Sequence, residues 1–229
     1  MKSIIGGRNL MQIDVIIIGV GPGLGLSLAK VFGQQGNKLL LVARDKNNLK
    51  KIKQKLNQLG IEAEIFIADV ASPTSVSKLF SWLNKNGLIP KIMIYNAADV
   101  KGNEPDTIIL DQLENIFKIN VFGLVNCAQK FLKLDPKFKF SRSILVTGGE
   151  LSDHPRYKNT SLSMTKAALK NYTIMLGQKL PPDKVAVNMI TVNTFMNKPQ
   201  GMKSDKVAKE FLNLQAKHKS GEIMFPPEK

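Results

Sequence analysis

Three groups of residues in this chain have types and spacings that could do chemistry. The first is the run Val15-Ile16-Ile17-Ile18-Gly19-Val20-Gly21-Pro22-Gly23-Leu24-Gly25, with glycine at every second position from 19 to 25. A strand that feeds a helix through such a turn aims unpaired N–H groups, and the positive end of the helix dipole, at one spot. That spot suits a phosphate or pyrophosphate. The second is Lys166, which falls on the stripe Leu162, Lys166, Leu169, Thr173, Leu176. A lysine on an inward face is rarely left unpaired, and a cation there lowers the pKa of a neighbouring phenol. The third is Asn120, on the apolar face formed by Leu113, Ile116, Phe117, Val121, Leu124 and Ala128. A buried amide must be hydrogen-bonded, and either tying down a helix backbone or a catalytic contact would satisfy it.

The elements that must position these groups alternate along the chain. The four aliphatics before Gly19 are too short for a buried helix and read as a strand covered on both faces. From Leu24 a helical stripe begins with Leu28, Val31 and Phe32. Strands are expected near 13–19, 38–43, 62–68, 91–96, 143–147, 185–192 and 222–225. Helices are expected near 24–36, 46–59, 73–86, 107–133, 159–180 and 204–215. Strand–helix alternation of this kind predicts an α/β fold, a Rossmann-type doubly wound parallel sheet of about seven strands with helices on both faces. Residues 1–12 read as a loose N-terminal leader, in which Met11 is an alternative start, and 13–229 as a single nucleotide-binding domain. Its ligand crevice belongs at the carboxyl ends of the strands, where strand order reverses.

Counting separates the kinds of glycine turn. G-x-G-x-x-G fails at Leu24 or Leu26, and the phosphate loop G-x-x-x-x-G-K-[ST] fails for want of a lysine. A methyltransferase-like G-x-G-x-G fits residues 19–23, but Ile17 stands where its acid belongs. The pattern that fits best is G-x-x-x-G-x-G at Gly19, Gly23 and Gly25. Dinucleotide folds carry an acid at the end of the second strand to hold the adenosine ribose. Here Ala43 and Arg44 occupy that place, and a guanidinium that grips a 2′-phosphate favours NADP(H) over NAD(H). Asp69 could accept from an adenine amino group while Val70 packs on the ring, or Asp69 could cap the following helix.

Taken together, the glycine turn, Asn96-Ala97, Asn120 and Lys166-Ala167-Ala168, in that order, resemble the short-chain dehydrogenase/reductase superfamily over nearly all of residues 13–229. The resemblance implies cofactor contacts at Gly19, Gly23, Leu24, Gly25, Arg44, Asp69, Val70, Asn96, Ala97 and Lys166. It implies that Asn120 holds a proton-relay water and that Lys166 meets the ribose hydroxyls. The departures are specific. Ile18 replaces a threonine, Tyr95 and Ala98 flank Asn96-Ala97 where the family has Asn-Asn-Ala-Gly, and Val192-Asn193 replaces Pro-Gly. Leu162 stands in the place of the catalytic tyrosine of Tyr-x-x-x-Lys, and Gly149 in the place of the serine thirteen residues earlier. Tyr157, in the loop entering the helix, is the expected substitute donor, ahead of Ser161, Ser163, Thr147, Glu150 and His154. The expected function is an NADP(H)-dependent oxidoreductase on a small carbonyl or alcohol. The alternative is a catalytically silent NADP(H)-binding sensor or scaffold.

Composition bounds the partners. The net charge of +15 could signal nucleic acid. The lysines, however, lie on polar helix faces: in 46–59, Leu49, Ile52, Leu56 and Leu59 face inward while Lys50, Lys51, Lys53 and Lys55 lie mostly off that stripe. No aromatic residues interleave with them to stack bases, so nucleic acid is not the expected partner. No apolar run approaches 18 residues, so no membrane span is expected. The single cysteine, Cys127, reads as a buried thiol in a reducing, cytoplasmic setting. His154 and His218 have no companions at ligand spacing, so no metal is expected. By analogy, the long helices ending near 133 and 180 imply a homodimer or homotetramer.

Overall fold

The computed structural model describes residues 12–135, 137, 140–193 and 203–227, and the backbone of Ile4–Ile5 and Arg8–Asn9, which pair antiparallel. Most of the expected leader, and the Asn197-Lys198-Pro199-Gln200-Gly201 stretch, lie outside the described residues. Seven strands form one sheet: β1 (Val15–Ile18), β2 (Leu39–Ala43), β3 (Ala63–Ile67), β4 (Ile92–Tyr95), β5 (Arg142–Thr147), β6 (Val185–Val192) and β7 (Gly221–Phe225). Their order is β3-β2-β1-β4-β5-β6-β7, and every neighbouring pair is parallel. Strand order therefore reverses between β1 and β4, and a crevice opens above their carboxyl ends.

The unbroken apolar run of β1 has a direct cause. Val15 and Ile17 pack into the layer containing α1 (Leu24–Gly33), α2 (Lys46–Asn57) and α7 (Ser204–Ala216). Ile16 and Ile18 pack into the opposite layer with α3 (Pro73–Lys85), α5 (Gly123–Lys133) and α6 (Thr160–Lys179). A strand covered on both faces has no polar side to alternate with. The helices begin where local chemistry lets them. Asp45 caps α2 by accepting from Asn47 N and Asn48 N, and Ser72 caps α3 ahead of Pro73. On α2, Leu49, Ile52 and Leu56 are buried as the spacing predicts, but Leu59 is exposed, because α2 ends at Asn57 and the chain turns at Gly60. Cys127 is fully buried on α5, and burial pushes its thiol up to about 12.

The long helix expected over 107–133 is broken. A 3-10 turn at Pro105–Thr107 precedes α4 (Leu110–Phe117), and a π turn at Lys118–Phe122 separates α4 from α5. A π turn changes how main-chain carbonyls are satisfied, and here the carbonyl of Ile119 takes the Tyr95 hydroxyl. Burial raises that phenol well above the ordinary range, so it remains a donor. Gly123 makes the contact possible, since a Cβ there would overlap the Tyr95 oxygen. The departure Tyr95 and the glycine at the helix seam are thus one device, which fixes the turn that carries Asn120.

Tyr95→Phe should therefore cost about 1–3 kcal/mol, the penalty for a buried acceptor left without its donor. Gly123→Ala should cost at least as much in the wild-type background and less in Tyr95→Phe, a coupling that a urea-denaturation double-mutant cycle will read.

Candidate active site

The crevice above β1 and β4 is built from main chain. Gly19 has φ +91°, and a Cβ on it would overlap the backbone of Ala97. Its N–H donates to Val42 O at 2.9 Å, and its carbonyl accepts from Asn96 Nδ2 at 2.8 Å. Asn96 Oδ1 in turn accepts from Thr147 Oγ1 at 3.0 Å. One amide therefore ties together the ends of β1, β4 and β5. Gly25 packs behind the turn, where a Cβ would come 2.9 Å from Val20 Cα. At Gly21 the opposite holds: a Cβ would meet nothing within 4 Å, because the position faces the cleft.

That cleft has a volume of about 320 Å³ and runs between residues 19–21, 42–45, 68–70 and 96–98, with Asn48 and Ile119 completing its wall. Gly19, Arg44, Asp69, Val70, Asn96 and Ala97 all line it, whereas Gly23, Leu24 and Gly25 build the start of α1 beside it. Gly23 caps α1 with no side-chain hydrogen bond, and the first turn holds no acid, so an anion at this helix end would meet no carboxylate from that turn. Arg44 stands exposed on the rim. Asp45 and Asn48 also line the cleft and were missed in the sequence. The Asp45 carboxylate is committed to α2, where a single oxygen accepts from both Asn47 N and Asn48 N. The signal was legible as Asp45 ahead of a helical stripe. Asp69 Oδ1 accepts from Ala71 N at 3.0 Å, so its carboxylate shapes the turn before α3.

Beyond the cleft, at the end of β5, lies Lys166. The side chain is buried, and Nζ donates to the carbonyls of Thr147 at 3.1 Å and Gly148 at 3.4 Å. Burial alone lowers its pKa to about 8. Gly149 lies against the lysine stem, where a Cβ would stand 3.4 Å from Cε. Leu162, one turn earlier on α6, is buried as well. The two positions that the resemblance pairs with a serine and a tyrosine therefore hold no hydroxyl.

Asn120 is buried, and its amide makes three hydrogen bonds. Oδ1 accepts from Asp99 N at 2.7 Å, and Nδ2 donates to Asp99 O and Thr165 Oγ1, each at 3.0 Å. It holds the loop after β4 against α6 rather than tying down its own helix. Of the hydroxyls weighed as donors, Ser163 and Thr147 spend their O–H within the fold, whereas the Ser161 bond is one it accepts. Ser161 Oγ accepts from Asn103 Nδ2, and Ser163 Oγ donates to Asn159 O. Tyr157 is 63% exposed, with Lys158 Nζ 5.7 Å from its ring centroid, and makes no hydrogen bond to Lys166. Its position lends the donor role no support. Glu150 pairs with Arg156 at 2.8 Å. Lys170 binds Asp153 at 2.7 Å and Glu222 at 2.9 Å, which clamps the loop after β5 to β7.

The buried lysine sets a pH dependence of stability. Its folded pKa lies below its unfolded value of about 10.4, so the unfolded chain binds more protons between about 8 and that value. Stability from this group therefore rises with pH through that window. Lys166→Met should raise Tm at pH 7, and the gain should vanish by about pH 10–11, read by calorimetry across pH.

The short chain dehydrogenase family profile matches residues 14–205. The 2,3-dihydro-2,3-dihydroxybenzoate dehydrogenase of Bacillus subtilis (strain 168) is 23% identical over 177 residues, which are 76% of this chain and 67% of that protein. Short-chain dehydrogenase/reductase 3 of Homo sapiens is 30% identical over 126 residues, 55% of this chain and 42% of that protein. The chain thus spans about two fifths to two thirds of the length of such relatives. In fold it is similar to a variant of actinorhodin polyketide ketoreductase, whose crystal structure contains NADPH. The TM-score is 0.86 at 16% identity, over 93% of this chain and 95% of that one. Family match and sheet topology agree: the chain belongs to the short-chain dehydrogenase family.

Proposed function

We propose that the chain is an NADP(H)-dependent oxidoreductase that interconverts a small carbonyl compound and its alcohol. The observation that carries the cofactor choice is the rim of the cleft. Arg44 follows β2 directly, and the one acid beside it, Asp45, has its carboxylate turned to the start of α2. A guanidinium there offers paired donors to a 2′-phosphate, and one oxygen of the neighbouring carboxylate is taken up by the amides of α2. The cleft fits the nucleotide in a second respect. Gly21 leaves open the space that a Cβ would fill, beside a helix start without a side-chain cap.

In this reading Gly19, Gly23, Leu24 and Gly25 form the phosphate turn. Asp69 and Val70 flank the adenine, Asn96 and Ala97 bring β4 against the turn, and Lys166 and Asn120 serve the reacting end. The bound nicotinamide would supply or accept the hydride. The fold neighbour solved with NADPH supports the same cofactor. Exposed Leu110 and Phe122 near α4, and Met164 and Met175 on α6, support a homodimer or homotetramer. Among the described residues no helix is long and apolar enough to cross a membrane. We place the protein in the cytoplasm, on the strength of its single, buried thiol. The second reading, a silent NADP(H)-binding sensor or scaffold, is favoured by Leu162 and Gly149 in the places of the tyrosine and serine.

Calorimetric titration with NADPH and NADH tests the cofactor. Arg44→Ala should weaken NADPH about 10- to 100-fold, as expected for a lost charge-assisted contact of about 1.5–3 kcal/mol, and leave NADH within about threefold. Equal losses for both nucleotides would remove the 2′-phosphate assignment.

A further inference from the structure

The end of the sheet remote from the nucleotide cleft carries a hollow of its own. Its volume is about 540 Å³, and it opens between the loop after α1, the starts of β4 and β5 and the last two turns of α7. We propose that this hollow binds a small organic carboxylate. The ligand's charge meets Lys91 and His218 at the rim, and its body lies on Ile92 and Leu212 beside the Ser143 hydroxyl. The site is separate from the oxidoreductase reading. Ile92 stands four residues before Asn96, about 13 Å along the strand direction, and Met93, Ile94 and Tyr95 between them are buried.

The floor of the hollow is apolar with one polar group set into it. Ile92 and Ser143 are ladder partners on β4 and β5, and Leu212 and Ala216 close the space from α7. Ser143 is 1% exposed, and its hydroxyl has no partner among the described residues. A buried hydroxyl left without a hydrogen bond is costly. A ligand oxygen lying in the hollow would remove that cost. An apolar floor with a few convergent polar groups is the usual composition of a small-molecule site.

The rim decides the ligand's charge. Lys91 and His218 both line the hollow, neither side chain has a partner among the described residues, and no Asp or Glu lines it. An ammonium there would meet a like charge, whereas a carboxylate would meet an opposite one. His218 is held at the rim at a backbone cost. The helix α7 ends at Ala216, and two residues later His218 has φ +48°, the left-handed position that usually falls to glycine. A side chain kept in such a conformation points to a constraint beyond the turn itself. Carbonyl ends of helices disfavour anions, and those of α1 and α7 approach the hollow. Several of their carbonyls are already engaged: Phe32 O accepts from Gln35 N and Asn37 Nδ2, Gly33 O from Gly36 N, Leu214 O from Lys217 N and Gln215 O from His218 N.

The test uses the full chain and three probes of one shape, 4-fluorobenzoate, 4-fluorobenzamide and 4-fluorobenzylamine, observed by 19F NMR. The carboxylate should bind saturably, and the amide and the amine about tenfold or more weakly. Lys91→Met removes an exposed side chain and should weaken the carboxylate about threefold or more. Lys55→Met, an equally exposed lysine on α2, should leave it unchanged. His218→Gly should raise Tm by relieving the left-handed backbone, and yet weaken the carboxylate about threefold or more. Absence of saturable carboxylate binding overturns the proposal. So do equal binding of the three probes, equal losses in Lys91→Met and Lys55→Met, or full affinity retained in His218→Gly. None of these outcomes involves NADPH, so the oxidoreductase reading is tested separately by its own titration.

Discussion

Two main chains pass within contact of each other where β1 leaves the sheet, and the cleft above the strand ends depends on that approach. Gly19 turns away at φ +91° with its α-carbon against the backbone of Ala97, and only a residue without a Cβ can do so. Asn96 then secures the junction from the other side, holding the Gly19 carbonyl with its amide nitrogen and Thr147 with its oxygen. The cleft floor, the start of α1 and the end of β5 are thereby placed relative to one another by a single side chain. The crevice is lined mainly by the segments that leave the carboxyl ends of four parallel strands, with Val42 and Ala43 still within β2.

Much of this was legible in the sequence because the signals are periodic or steric. The seven strands and their buried faces follow from short apolar runs, and the glycine turn from a spacing that no ordinary loop needs. Arg44 at the end of β2 was readable because position along a strand determines position at the crevice. What escaped was cooperative. The π turn at Lys118–Phe122 has no local signature: its residues continue a helical stripe, and its Ile119 carbonyl is met by the hydroxyl of Tyr95, on a strand in another part of the chain. Asn120 was correctly expected to be buried and bonded, but its partners, Asp99 and Thr165, come from two other elements. Tyr157 was chosen by its distance in sequence from Leu162, and the 3-10 turn at Tyr157–Asn159 carries it outward instead.

The buried lysine is held without a carboxylate among the described residues. Lys166 is costly to bury as a cation, and the structure offsets the cost with two carbonyls rather than with a carboxylate. A carboxylate would have held the proton tightly. Neutral carbonyl oxygens stabilise the ammonium while leaving its proton mobile.

Cys127 has a consequence of a practical kind. It is the one sulfhydryl in the chain, it is sealed inside α5, and burial holds it in its unreactive thiol form. A thiol reagent in solution will meet it only when the layer formed by α3, α5 and α6 opens. The rate of its modification under native conditions is thus a clock for the opening of that layer, which also packs Ala68 and Val70 of the cleft wall.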